Sequence, residues 1–289
     1  MKDRCYEFAA KLVGFCVSRL PRTLTLVIGG WLGTLVFSLA PKQRELACEH
    51  LRRSLTIDER CAEAIAKECF QHLGKTVVEF MQLPRLDRTQ IQRYVTFEGV
   101  EHVEQALAQG KGAIILTGHF GNWELLAASI SATVAPLTPI VRELRSPRLN
   151  ALVSHYRAQA GYTTIDRDTG IRQALQCLKR NELLGIVADV DTTVSGVFVD
   201  FFGRRAYTPY SPVAIALKTG ATILPTFIIR QPDGSHRAII ESPLALERTN
   251  IKEKDLVINT QKFTKIIESY IRQYPAQWIW MHQRWKTED

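Results

Sequence analysis

The sequence predicts an α/β protein: a central mixed sheet flanked by helices, with a helical, membrane-seeking N-terminus. Three observations predict it. Residues 113–117 and 183–188 are short apolar runs bounded by glycine or carboxylates, which read as buried strands. Between such runs, apolar residues recur at three- and four-residue spacing, giving the strand, helix, strand rhythm of a parallel unit. Residues 23–41 carry no charge at all.

With 289 residues, 46% hydrophobic and 23% charged, the chain has enough apolar side chains for one substantial core. We divide it into N-terminal anchor helices over residues 1–40 and a single domain over residues 41–289. The net charge of +8 suits anionic partners such as a phosphorylated lipid, an acidic membrane surface or an acidic carrier protein. No Arg/Lys run with interleaved aromatics is present, which argues against nucleic acid. The cysteines at 5, 16, 48, 61, 69 and 177 have no paired spacing and read as buried free thiols of a reducing compartment. The histidines are scattered among unrelated patterns, so no metal site is expected.

In order, residues 6–20 form an amphipathic segment that Pro21 separates from the apolar stretch 24–40. That stretch is borderline for the roughly 20 residues of a spanning helix. Arg19 and Arg22 precede it and Lys42 and Arg44 follow it, so flanking charge assigns no orientation. This favours a monotopic or shallow anchor over a span, with a buried helix pair as the alternative. Two helices fill residues 42–83, the second starting after Asp58 and stopped by Pro84. A strand over 93–97, a turn at Gly99 and a helix over 100–109 lead into the strand 113–117. A helix capped by Asn122 follows, then a strand over 135–142, a helix over 146–160 and another through Ile171 and Leu178. After the strand 183–188 come a helix between Pro209 and Gly220, strands over 221–229 and 238–241, and a helix over 258–274. Trp278, Trp280 and Trp285 of the tail suit burial or a membrane boundary, with Arg284 and Lys286 adding charge for anionic headgroups.

The chemistry centres on Gly118-His119-Phe120-Gly121-Asn122-Trp123-Glu124. His119 falls at the carboxyl end of a strand, where α/β sheets bind ligands. An imidazole of pKa ~6.5 can take a proton from a hydroxyl, and a carboxylate on its other nitrogen fixes the tautomer. Glu124, on the first helical turn, is the candidate for that carboxylate. No Gly-x-Ser-x-Gly elbow supplies a protein nucleophile, so the simplest chemistry is direct activation of a substrate hydroxyl. By spacing alone the pair is bland, and a histidine that satisfies a strand end is the competing reading. Arg142 follows an apolar strand and could grip a phosphate with two parallel hydrogen bonds, against a plain surface loop. Arg167 is read against a helix cap and charged strand end. Asp189 and Asp191, delivered by the strand 183–188 at i and i+2, face the same way, and so could bind a metal or a sugar, or one could polarise a partner.

These residues carry a resemblance that covers nearly the whole chain. The His119 segment resembles the signature of the bacterial late acyltransferases of lipid A biosynthesis, the lauroyl and myristoyl transferases, within the glycerolipid acyltransferase superfamily defined by His-x4-Asp/Glu. Gly161 to Arg167 is similar to the second superfamily block, Asp189 to Asp191 with Gly196 to Gly203 to the third, Pro225 in its strand to the fourth, and Tyr274 to Lys286 to the terminal signature. The resemblance implies an acyltransferase domain in which His119 is the general base and Glu124 orients it. It implies substrate contacts by Gly121, Asn122, Arg142, Arg167, Asp189 and Asp191. It further implies a fatty acyl group delivered as an acyl carrier protein thioester, no cofactor, a lipid A precursor hydroxyl as acceptor, and work at the cytoplasmic face of a bacterial inner membrane. Val197, Phe198, Phe201 and Phe202 are then core, acyl-channel wall or both. Thr192 to Ser195 departs from the usual glycine and basic residues, which leaves other acceptors open: a phosphoinositide mannoside, an aminolipid or a lysophospholipid. A catalytically silent lipid-binding protein and a hydrolase using water are the competing classes.

Overall fold

The computed structural model describes residues 12–288. Residues 12–17 are helical (α1), followed by α2 (Arg22–Leu39), α3 (Pro41–Leu55) and α4 (Glu59–Gln82), before any strand appears. Then come α5 (Arg88–Tyr94), β1 (Val95–Glu98), α6 (Val100–Leu107), β2 (Ala113–Thr117), α7 (Trp123–Thr133), β3 (Leu137–Val141) and α8 (Pro147–Gln159). The remainder is β4 (Ile165–Asp166), α9 (Ile171–Lys179), β5 (Leu183–Val187), β6 (Gly196–Phe201), β7 (Arg204–Pro209), α10 (Ser211–Thr219), β8 (Thr222–Arg230), β9 (His236–Ile240) and α11 (Lys252–Gln273).

Seven strands make one sheet in the order β1-β9-β8-β2-β5-β3-β4, and β6 with β7 forms a separate hairpin. Only the β8–β9 pairing is antiparallel within the large sheet, so the sheet is mixed. All five residues of β2 are buried, which is why this strand is an unbroken apolar run rather than an alternating one. One core layer joins Ile115, Leu125, Leu126 and Leu137 beneath α7; the other joins Ile114, Leu116, Ile186 and Ile215 beneath α9 and α10.

α2 lies antiparallel along α4 through a seam of Thr25, Gly29, Gly33 and Phe37, all buried. A Cβ on Gly33 would sit 2.2 Å from the Phe70 carbonyl oxygen, and one on Gly74 would sit 2.1 Å from that of Gly29, so the two backbones touch. The outer face, with Leu24, Val27, Trp31, Leu35 and Leu39, is exposed. With 18 residues and a mean hydropathy of 1.4, α2 is long and apolar enough to cross a membrane by length and composition. Its first residue, Arg22, ion-pairs with Glu79 of α4. The buried Glu79 also accepts from Arg230 Nη2 at 2.6 Å and Asn122 Nδ2 at 2.8 Å. Burial alone would raise this carboxyl, but Arg230, His236 and Arg22 together hold it down at about 2.

Several elements differ from the sequence reading. The segment before β1 is helical through Tyr94, because Asp87 and Gln90 form a reciprocal capping box that starts α5. Residues 204–209 form a strand, paired with β6 across a tight turn at Phe202 and Gly203, both at positive φ. α11 starts at Lys252 rather than Ile258. The tail is not a membrane boundary: Trp278, Trp280 and Arg284 are fully buried. Arg284 donates to the Tyr207 carbonyl at 2.6 Å and the Thr208 hydroxyl at 2.5 Å, and lies over the Phe201 ring. Cys48, Cys69 and Cys177 are buried free thiols as expected, whereas Cys16 and Cys61 are exposed; Cys5 lies outside the described residues.

Candidate active site

β2 and β5 are neighbours in parallel register, Thr117 opposite Val187. Two residues past each strand end, this register brings His119 beside Asp189. Asp189 grips the histidine twice: Oδ2 accepts the His119 backbone N–H at 2.7 Å, and Oδ1 lies 2.9 Å from Nδ1. Gly118 permits the approach, since a Cβ there would sit 3.0 Å from Asp189 Oδ2. Trp278 Nε1 donates to the same Oδ2 at 2.7 Å, so the carboxylate is fixed by three groups from two other segments of the chain. A carboxylate has no proton to give, so Nδ1 carries the hydrogen and Nε2 is the basic nitrogen.

The Asp189 side chain is fully buried, while the His119 ring keeps 29% of its surface exposed. Burial works against the imidazolium, but the Asp189 charge, its hydrogen bond and the charge of Glu124 outweigh it and raise the His119 pKa. Burial likewise works against the Asp189 anion; His119, Trp278 and the backbone N–H overcome it and hold the carboxyl below its ordinary range. The His119 ring also meets the Trp123 ring edge-on at 5.1 Å.

Glu124 is not the carboxylate on His119. Arg157 of α8 takes it bidentately, Nε at 3.0 Å and Nη2 at 2.5 Å, and the Tyr162 hydroxyl donates to Oε2 at 2.6 Å. A guanidinium fork outcompetes a single imidazole N–H for a carboxylate, and Asp189 already occupies Nδ1. Glu124 therefore acts on His119 through its charge and ties α7 to α8. Neither Arg157 nor Tyr162 was picked out from sequence, because their contact with Glu124 joins positions far apart in the chain. His119 and Asp189 stand at the same offset after β2 and β5, a match hidden in the sequence because the apolar run of the second strand continues to Ala188.

A cavity of about 710 Å³ opens beside His119 at the carboxyl edge of the sheet. Glu124, Arg142, Arg157, Arg167, Asp191, His282 and Lys286 line its polar part, along with Thr192 to Ser195. Arg142 is exposed at the rim, and Arg167 is paired with Asp168 at 3.0 Å. Gly121 and Asn122 lie beneath the turn, not on the cavity wall. Gly121, at φ +58°, passes so close to β8 that a Cβ would sit 1.9 Å from the Ile228 carbonyl oxygen. Asn122 caps α7 through the Leu125 N–H at 3.0 Å and donates to Glu79. Asp189 and Asp191 do not share a strand face, because β5 ends at Val187. Both Asp191 oxygens are bonded, one by the Thr287 N–H at 2.8 Å and the other by its hydroxyl at 2.9 Å. Among the described residues no cluster of three His, Cys, Asp or Glu side chains could hold a metal.

A braced histidine at the mouth of a largely hydrocarbon cavity, ringed by arginine and lysine, fits the polar end of an amphipathic molecule. Residues 3–287 match the family model of the bacterial lipid A biosynthesis acyltransferases, and the chain belongs to that family. It is 26% identical over 284 residues to a lipid A biosynthesis acyltransferase of Haemophilus influenzae, covering 97% of this chain and 86% of that protein. It is 24% identical to the lipid A biosynthesis lauroyltransferase of Escherichia coli over 94% of this chain and 88% of that protein. A phosphatidylinositol mannoside acyltransferase of Mycolicibacterium smegmatis is 26% identical over 72% of this chain and 67% of its own length. The protein is thus an O-acyltransferase.

Proposed function

We propose that the protein transfers a fatty acyl chain from an acyl carrier protein thioester to a hydroxyl of a lipid A precursor. His119, braced by Asp189 at the cavity mouth, is the observation that carries the reading. Nε2 takes the hydroxyl proton as the oxygen attacks the thioester carbonyl carbon. Backbone N–H groups at the start of α7 stabilise the oxyanion. The tetrahedral intermediate then collapses, the C–S bond breaks, and the imidazolium returns the proton to the departing thiolate. Arg142, Arg167 and Lys286 supply positive charge for the phosphate of the acceptor.

The exposed apolar face of α2 supports attachment to the inner membrane from the cytoplasmic side. Because α2 is held along α4 by backbone-close contact, it lies on the bilayer with Trp31 and its apolar neighbours in the headgroup and acyl boundary. A mannosylated phosphoinositide is the second reading of the acceptor, favoured by the Mycolicibacterium relative and by the Thr192 to Ser195 turn on the cavity wall.

The test is a transfer assay with purified full-length protein, acyl carrier thioesters and either a tetra-acylated lipid A precursor or a phosphoinositide mannoside, read by mass spectrometry. The proposal expects a mass gain of one acyl chain on the lipid A precursor, lost in His119→Ala. Gain only on the mannoside moves the assignment to the second acceptor. Release of free fatty acid without any acylated lipid refutes transfer.

A further inference from the structure

The cavity at the carboxyl edge of the sheet is lined from both of its faces, and the part on each face is termed a lobe. In the parallel register Thr117 pairs with Val187 at the mouth, Ile115 and Pro139 flank Gly185 one row deeper, and Leu137 lies opposite Leu183 below that. Side chains alternate along a strand, so these odd-numbered positions share the face covered by Leu126 and Ala127 of α7. Ile140 and Ile186 point to the other face, toward Ala214 and Ile215 of α10. From Val187 the first lobe descends two strand steps, ~7 Å, to Gly185, where the Leu137 side chain meets it. Its polar groups stay at the mouth with His119, Glu124 and Tyr162, while the wall below is hydrocarbon. Such a shape takes an alkyl chain tail-first, with its carbonyl left beside the imidazole.

Two small residues shape this lobe. Gly185 interrupts the row between Ile115 and Pro139; a Cβ there would lie 3.2 Å from Pro139 Cα and 3.4 Å from Leu137 Cδ1. Ala127 stands on the helical wall. Of the strand residues lining this face, Leu137 lies furthest from the carboxyl ends.

We propose that Gly185 and Ala127 set the length of alkyl chain the lobe accepts, with Leu137 as its floor. The substrate class, a fatty acyl chain, rests on the acyl-transfer reading above. The test measures binding of a ladder of saturated fatty acids of increasing length to the full-length protein, and transfer from the matching acyl carrier thioesters. Ala127→Leu shifts both preferences toward shorter chains, roughly fourfold for each excluded methylene. Leu137→Ala shifts both toward longer ones. Gly185→Ala acts like Ala127→Leu if circular dichroism shows it folded; since Pro139 must yield to the added methyl, Ala127→Leu and Leu137→Ala carry the decision. Folded variants with the wild-type ladder, or with all lengths weakened equally, overturn the proposal. So does a wild-type protein that binds no member of the ladder. If the wild type binds the ladder with these shifts but transfers nothing, the transferase reading fails and the length-setting role stands.

Discussion

Replacing Asp189 with Asn changes almost nothing in shape and reverses the chemistry of His119. Asn offers one oxygen, which the two N–H donors now on Oδ2, the His119 backbone and Trp278 Nε1, both at 2.7 Å, hold in place. The amide nitrogen then falls opposite His119 Nδ1, where Oδ1 now stands at 2.9 Å. Two donors cannot face each other, so the ring adopts the tautomer protonated on Nε2 and the base nitrogen is blocked. The same inversion in a serine-protease triad sets the scale, a loss in kcat of about 10³- to 10⁴-fold, or ~4–5.5 kcal/mol of barrier. Folding should change little: a buried anion is exchanged for an amide that keeps two of its three bonds and reverses the third, a neutral bond in place of a charge-assisted one, for a loss of about 1 kcal/mol and a Tm shift of ~2–4 °C. The pH profile gives a second readout. With His119 as the proposed base, the wild-type acid limb should lie above the ordinary histidine value of 6.5, because the imidazole must lose a proton that Asp189 helps it keep. In Asp189→Asn the residual activity should have its acid limb below 6.5, since burial then dominates the imidazole. A folded Asp189→Asn enzyme with a tenth or more of wild-type kcat and an unmoved acid limb would refute this role.

Glu124→Gln keeps the bond to Tyr162 but loses the charge-assisted fork to Arg157. We expect a stability loss of about 1.5–3 kcal/mol in denaturant titration, a smaller fall in kcat than for Asp189→Asn, and an acid limb moved slightly down. Gly121→Ala forces a Cβ against the Ile228 carbonyl at positive φ, so a loss of at least ~3 kcal/mol and poor recovery of soluble protein should follow. Stability should also depend on pH in two stages, read as Tm from pH 8 to pH 3. Burial first, then nearby arginine charge, pushes His72 and His236 down to about 3, so their neutral forms stabilise the fold above their ordinary 6.5 and that share is lost as pH falls below it. Glu79, held at about 2, contributes fully above its ordinary 4.5 and fades below, so the decline should steepen there; Glu79→Gln should shrink this second stage and leave the share of Asp189 and Glu268, whose carboxyls are also lowered. His119, whose pKa is raised, contributes in the opposite sense, its share fading as pH rises.

The parts of the fold that sequence reveals are those whose causes are local. β2 and β5 are legible because burial on both faces makes them unbroken apolar runs, and α4 and α7 because Asp58 and Asn122 announce their starts. The helix before β1 escapes the sequence reading although its capping box is local, because Pro84 reads as the end of the helical region and the alternation of residues 93–97 overlaps the last turn of α5. The partner of His119 is different in kind. It is chosen by a register between strands that sequence spacing does not encode, so a carboxylate five residues away looked nearer than one seventy residues on. Glu124 was misread for the same reason, its guanidinium partner arriving from α8. The tail was ambiguous because tryptophan and arginine serve membrane boundaries and protein interiors alike; only packing against Phe201, Tyr207 and Thr208 decides.

The bond from Trp278 to Asp189 has a consequence for how the enzyme is made. The helices and most of the sheet can assemble while translation is still in progress, yet the acid lacks one of its three anchors until the indole emerges from the ribosome. Gln277 and Trp278 also brace the turn itself, the former through the Gly121 N–H and the latter by bridging Phe120. A nascent chain would therefore hold Asp189 by His119 alone, and gain the third bond only once Trp278 has emerged and folded back onto the turn.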